Sequence, residues 1–172
     1  MASLANVVLD LCRRAGLSPD SVDVSALTGT CDGLVISNVA SVRSTLEHLV
    51  RANFLDVIET SGVIVFRPRG NAPVATINVD ELVPIGDQGV ETLTLVRRQE
   101  TELSKAINVV FINKNASYEQ GSQAARRQIS PEGEVTNITI PLVMDGARAK
   151  AIAEAMLAAE WAERTQFRFV LP

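Results

Sequence analysis

Histidine, cysteine and aromatic residues are scarce in this chain of 172 residues, which has one His, two Cys, one Trp, one Tyr and five Phe. A lone His48 beside two cysteines without C-x-x-C spacing cannot assemble a typical zinc site, so no metal is expected. Cys12 falls on the apolar face of a predicted helix, and it and Cys31 read as free thiols rather than a structural disulfide. With aromatics at 4%, Val, Ile, Leu and Ala must fill the core, which predicts modest stability. No apolar run approaches the roughly 20 residues a membrane helix needs, so no membrane span is expected. The start, Met1-Ala2-Ser3, has no basic stretch followed by an apolar one, so no secretory signal is expected. Phosphate loop, G-x-G-x-x-G and G-x-S-x-G patterns are also missing, and no cofactor is expected.

What is present describes a folded chain. Hydrophobic content of 47% and charged content of 21% are near globular averages. A net charge of -4 argues against nonspecific nucleic-acid binding, which depends on neutralising phosphates. Ser3 predicts a helix over 4–15, with Leu4, Val7, Val8, Leu11 and Cys12 on one face and Gly16 as its left-handed stop. Asp32-Gly33 turns into a short strand at 34–36. A second helix begins at Asn38 or Ser41 and carries an apolar stripe of Val42, Leu46, Leu49 and Val50. Strands at 54–59 and 63–67 flank Thr60-Ser61-Gly62, a hairpin turn.

The proline and glycine cluster at 68–73 is the predicted boundary. Beyond it, strands are expected at 74–79, 91–98, 107–112 and 135–140, with turns at 86–89 and 130–133 and a helical turn at 102–105. The polar stretch 113–128 reads as a long loop, and Pro141 as the end of the strand before it. Asp145 caps an alanine-rich helix over 146–164, and an alternating strand follows at 165–171, with Phe167, Phe169 and Leu171 on one side. The fold class is therefore α+β in two small lobes. Residues 1–70 form two helices with a β-hairpin, and residues 71–172 form an antiparallel sheet with the C-terminal helix packed on it.

Catalytic readings have little to rest on. His48 lies at the edge of a buried stripe, where a half-exposed helix histidine is the ordinary occupant. Asp20, Asp23 and Asp32 lack the alternating-oxygen loop of an EF-hand and read as turn residues. Glu154, Glu160 and Glu163 read as a solvated helix face with Lys150 and Arg164. The pairs Arg13-Arg14, Arg97-Arg98 and Arg126-Arg127 have no aromatic platform beside them, so they suit protein contacts better than single-stranded nucleic acid. No catalytic, cofactor-binding or metal-binding residue is assigned. The candidate assembly contacts are Phe167, Phe169, Leu171, Tyr118, Arg126 and Arg127.

The order of several segments resembles the putative phage tail protein family, which includes the tail-hub protein of gene transfer agents and long-tailed phages. They are Leu-Asp-Leu-Cys-Arg-Arg-Ala-Gly-Leu at 9–17, Val-Ser-Ala-Leu-Thr-Gly at 24–29 and Gly-Leu-Val-Ile-Ser at 33–37. Phe-Leu-Asp-Val-Ile-Glu at 54–59, Val-Phe-Arg-Pro-Arg-Gly at 65–70 and Val-Val-Phe-Ile-Asn at 109–113 follow. Ser-Tyr-Glu-Gln-Gly-Ser-Gln-Ala-Ala-Arg-Arg at 117–127 and the ending that runs from Ile-Pro-Leu at 140–142 through Trp-Ala-Glu-Arg-Thr to Leu-Pro complete the set. The resemblance implies a non-enzymatic structural subunit of the tail tip, a hub or baseplate building block linking tail tube to host-contacting parts. It implies a virion location after synthesis in the host cytoplasm. The implied partners are hub subunits, tail tube, and fibre or spike, with homo-oligomers, usually trimers, in the full-length protein. The strand still alternating at 165–171 predicts a fragment of a larger hub protein. The alternative is a cell-wall (peptidoglycan or glycan) processing or binding module, which requires a cleft with two converging carboxylates.

Overall fold

Short polar side chains start the three described helices. In the structure, a computed structural model that describes residues 1–37, 39–70, 72–73, 75–83, 92–128 and 134–172, β1 (Ala2–Ser3) runs into α1 (Leu4–Arg14). The Ser3 hydroxyl accepts from the Asn6 amide at 3.2 Å, satisfying one of the amides a helix start leaves free. After β2 (Val22–Asp23) and β3 (Thr30–Cys31), Ser41 caps α2 (Val42–Ala52) by accepting from the Ser44 amide at 3.2 Å. The hairpin strands β4 (Leu55–Thr60) and β5 (Val63–Pro68) follow, and β2 joins β5 in parallel to give the order β2-β5-β4. Phe54 lies at a φ of 50° between α2 and β4, a left-handed position where Gly or Asn is the usual residue.

The second part comprises β6 (Leu93–Arg97), β7 (Ala106–Asn113), β8 (Glu119–Arg126), β9 (Val135–Met144), α3 (Gly146–Ala162) and β10 (Thr165–Phe169). Its main sheet has the order β8-β7-β9. Val109 and Phe111 on β7 are buried on the same face as Ile140 and Met144 of β9. That face receives α3, whose Ala149, Ile152, Ala153, Met156 and Leu157 recur at helical spacing and are buried. Alanines at two of those positions let the helix lie close to the sheet. The buried residues form a contiguous cluster that includes Leu4, Val8 and Leu49 together with Val109, Ile140 and Ala153. The molecule is α+β, as the residue pattern predicts.

Several expectations change in detail. The antiparallel sheet is mixed, because β9 pairs with β7 in parallel from Ala106 and Val135 onward while β8 pairs with β7 antiparallel. A strand with apolar residues on both faces, such as β7, can take the central place, and alternation alone does not say which way a partner runs. The polar stretch taken as a loop contains β8, an edge strand whose Gln120 and Ser122 need no burial. Its Gly121 lies opposite Phe111, where a Cβ would stand 3.0 Å from the ring. Pro141 does not end β9, because the register shifts between Val110 and Ile112 and the proline occupies that irregularity. The segment expected as a strand at 34–36 forms a single bridge, Leu34 to Leu142, on the outer side of β9. There the Val35 amide donates to the Pro141 carbonyl and the Val143 amide to the Gly33 carbonyl, each at 2.9 Å.

Of the strand expected at 74–79, residue 74 lies outside the described residues, and residues 75–78 form no strand. Val79–Glu81 is a single 3-10 turn, in which the Glu81 carboxylate accepts from the Asn78 amide at 3.2 Å. The helical turn expected at 102–105 sits slightly earlier, at Glu100–Glu102. The turns expected at 86–89 and 130–133, and Asn38 as a helix start, lie outside the described residues.

Candidate assembly surface

The last strand does not join the sheet beneath α3. Instead β10 pairs antiparallel with β6 as a separate two-stranded ribbon, in which Phe167 faces Leu95 and Phe169 faces Leu93. Residues directly opposite in a ladder project to the same face, so these four side chains form one apolar patch. They are all exposed, Phe167 at 59% and Leu95 at 56%. Val96, Val170 and Leu171 add exposed apolar surface nearby. A two-stranded ribbon is marginal in water by itself, and a contiguous exposed apolar patch marks a place where another surface fits.

The ribbon is tied at its base. Arg98 donates its amide to the Arg164 carbonyl at 2.9 Å, and the Arg164 guanidinium donates to Glu100 at 2.8 Å. Trp161, the last buried residue of α3, donates its indole N–H to the Ser104 carbonyl at 2.9 Å. Glu160 accepts from both the amide and the hydroxyl of Ser104, at 3.0 and 3.2 Å. The ribbon therefore springs from a hydrogen-bonded base while its apolar face stays open.

The candidate contacts fall in three places. Phe167, Phe169 and Leu171 lie on or just beyond the ribbon. Tyr118 is exposed at the tip of the β7–β8 hairpin, where it and Ser117 hold φ values of 61° and 51°. Arg126 is exposed at the far end of β8, roughly 25 Å along the strand from that tip. Arg127 is exposed too, but its guanidinium stacks over Trp161 of the same chain at 4.0 Å from the ring centroid. Leu93 and Leu95 belong to the same patch and were not singled out from the sequence. Their place in the patch follows from pairing with a strand far along the chain, as the register of Phe167 with Leu95 shows.

A cleft of about 500 Å³ opens between α2, α3 and the base of the ribbon, with Phe54, Met156 and Ile138 on its wall. It includes Glu47, Glu160 and Glu163. Glu47 faces Arg43 at 3.4 Å, Glu163 faces Arg69 at 4.0 Å, and Glu160 is bonded to Ser104. His48 lines a different, smaller depression with Leu34, Ile36 and Pro141, and among the described residues no carboxylate lines it.

A second polar cluster joins the two parts of the chain. The Lys114 ammonium donates to Asp32 at 2.8 Å and lies 3.3 Å from Asp145. Asp145 caps α3 by accepting from the Arg148 amide at 2.8 Å. The Arg148 guanidinium reaches the Thr30 carbonyl at 3.2 Å and Asn53 at 3.0 Å. The Arg148 amide, and then Lys114, hold the Asp145 carboxyl below the usual carboxylate range. The hydrogen bond to Asp32, joined by Asp145, raises Lys114 above the ordinary lysine value.

This architecture is shared with proteins of phage tails. A chain in the virion of a native gene transfer agent particle superposes with a TM-score of 0.91 at 26% identity, over 99% of this chain and 38% of that one. The tail protein from Neisseria meningitidis MC58 gives a TM-score of 0.58 at 13% identity, over 96% of this chain and 48% of that one. The 43 kDa tail protein of prophage MuSo2 from Shewanella oneidensis gives 0.54 at 13% identity, over 99% and 48%. The latter two likenesses concern the fold alone. In each case the chain spans less than half of its neighbour's length. Among curated proteins, none matches the sequence.

The chain belongs to the putative phage tail protein family, whose model matches residues 41–172. It is a structural component of a phage or phage-like tail. The segments at 9–17, 24–29 and 33–37 precede the matched span.

Proposed function

We propose that this chain is a building block of the tail tip, a hub or baseplate subunit that links the tail tube to host-contacting parts and performs no catalysis of its own. The open ribbon face carries the reading: Leu93, Leu95, Phe167 and Phe169 are exposed on one side of two strands. Surface of that kind suits a protein completed by neighbours. The likeness to a chain of a gene transfer agent virion supports the same reading. In this reading the chain is the portion of a larger hub protein that packs against other tail proteins and against further copies of itself, with residues 1–70 and 71–172 as its two lobes.

The carboxylates of the cleft support a structural role, since Glu160 is committed to Ser104 while Glu47 and Glu163 each face an arginine. Among the described residues, no carboxylate lines the depression that holds His48. The cell-wall-processing alternative has no comparable observation in its favour.

Two measurements test the proposal. Gold-labelled antibody against this chain is expected to decorate the tail tip of intact particles, and label spread along the tail shaft would overturn the hub assignment. Particles assembled with Phe167→Asp are expected to lack complete tail tips although the isolated variant keeps its circular dichroism spectrum. Normal tips would show that the ribbon is not an assembly surface.

A further inference from the structure

Strand β8 is an outer strand of the sheet beneath α3, and among the described residues nothing pairs with its far side. Edge strands are usually blunted by lysine, proline or a bulge. Glu119–Arg126 contains neither residue and keeps one register against β7 throughout. The Arg127 amide donates to the Lys105 carbonyl at 2.9 Å, and bonded positions alternate along an antiparallel pair. Odd-numbered residues therefore bond β7, while Gln120, Ser122, Ala124 and Arg126 turn their N–H and C=O groups outward. The Lys150 ammonium fits this alternation, since it donates to the Ala124 carbonyl at 2.7 Å.

The helix overhangs that edge. α3 packs on β8 and β7, and its Lys150, Glu154, Leu157 and Ala158 line a groove of about 270 Å³ with Arg126 and Arg127. Three cations thus meet one carboxylate, Glu154, which lies 3.7 Å from Lys150. Among the described residues, no ion pair within 4.0 Å engages Arg126 or Arg127. Side chains alternate along a strand, so Arg127 shares the α3 side with buried Ala125 and Arg126 takes the opposite side. Both sides of the edge are cationic at this end, and an acidic side chain on a neighbouring strand finds a positive partner whichever way it points.

We propose that an extended acidic segment of a different tail protein adds to β8 as a fourth strand of this sheet, under the overhang of α3. Its main chain pairs with the outward groups of Gln120, Ser122 and Arg126, its carboxylates meet Arg126 and Arg127, and an apolar side chain covers Leu157 and Ala158. Main-chain bonds supply the affinity in this mode, and the side chains select the segment. This inference rests on the reading of the chain as an assembly protein, and it concerns strands other than those of the ribbon.

Photo-cross-linking in assembled tails tests it. Benzoylphenylalanine in place of Gln120 is expected to cross-link one segment of a different tail protein, in which mass spectrometry finds Asp or Glu. Arg126→Glu is expected to lower the cross-link yield about tenfold. Ser122→Pro should do the same, because it removes an outward amide, and Gly121 before it has no Cβ to clash with the proline ring. Circular dichroism of the isolated variants should match wild type; if Ser122→Pro alters the spectrum, Arg126→Glu decides alone. No cross-link, a cross-link to a second copy, a segment without acidic residues, or a yield indifferent to Arg126→Glu would overturn the inference. If one of these results is found while Phe167→Asp still removes tail tips, this docking falls and the assembly role stands. If Phe167→Asp also leaves tail tips intact, both fall.

Discussion

A methyl group on residue 33 would stand 2.9 Å from Cγ2 of Val143 and 3.2 Å from its Cβ, closer than packed atoms tolerate. Valine is stiff at χ1 and cannot swing aside cheaply. Gly33→Ala is therefore expected to destabilise the fold by about 1–3 kcal/mol, read from urea unfolding. Val143→Ala in the same chain should recover part of that loss, and strictly additive effects would show that the close approach is not the cause. Trp161 offers a second test at this scale. Trp161→Phe keeps an aromatic ring but removes the donor to the Ser104 carbonyl, at an expected cost of about 1–3 kcal/mol. A loss below half a kcal/mol, on the order of a surface change, would mean that water replaces the indole N–H.

Among the elements, the helices were legible because their evidence is local. Ser3, Ser41 and Asp145 accept from amides three residues on, as the sequence pattern expects, and the apolar stripes of α1 and α2 recur at helical spacing. The sheets were legible only where each strand carried its own alternation. β8 escaped because an exposed edge strand of Glu, Gln, Gly and Ser has no apolar period. The parallel course of β9 and the pairing of β10 with β6 are choices of partner, and neither strand contains that information. Half of the candidate surface was visible for the same reason: Phe167 and Phe169 alternate with polar neighbours, but Leu93 and Leu95 join them only through the ladder.

The clasp at the start of α3 titrates from both sides. Asp145 has a lowered carboxyl value, so its contribution is full above the ordinary carboxylate value and is lost as pH falls through the lowered one. Lys114 has a raised value, so its contribution is full below the ordinary lysine value and is lost as pH rises through the raised one. Lys114→Met is expected to lower the melting temperature near neutral pH, and the gap from wild type should narrow in strong acid. A gap that stays constant down to the lowest pH at which the protein folds would show that the carboxylates do not hold Lys114.

Across the whole molecule, the clasp and the contiguous core make the two parts of the chain interdependent. Leu4, Val8 and Leu49 are buried in the same cluster as Val109 and Ala153, and Gly33 and Val35 bond the edge of β9. Unfolding followed by fluorescence of Trp161 and by circular dichroism should therefore give coincident transitions. Two separated transitions would mean that the parts before and after residues 68–73 unfold independently.

The ribbon departs from this closure, because its apolar face is left to the solvent. Hydrogen–deuterium exchange, compared between the isolated chain and assembled tails, tests that account most directly. The amides of Leu93–Arg97 and Thr165–Phe169 are predicted to exchange markedly more slowly in the tail than in the isolated chain. Equal exchange in both would mean that nothing covers those strands and that the tail is held together elsewhere.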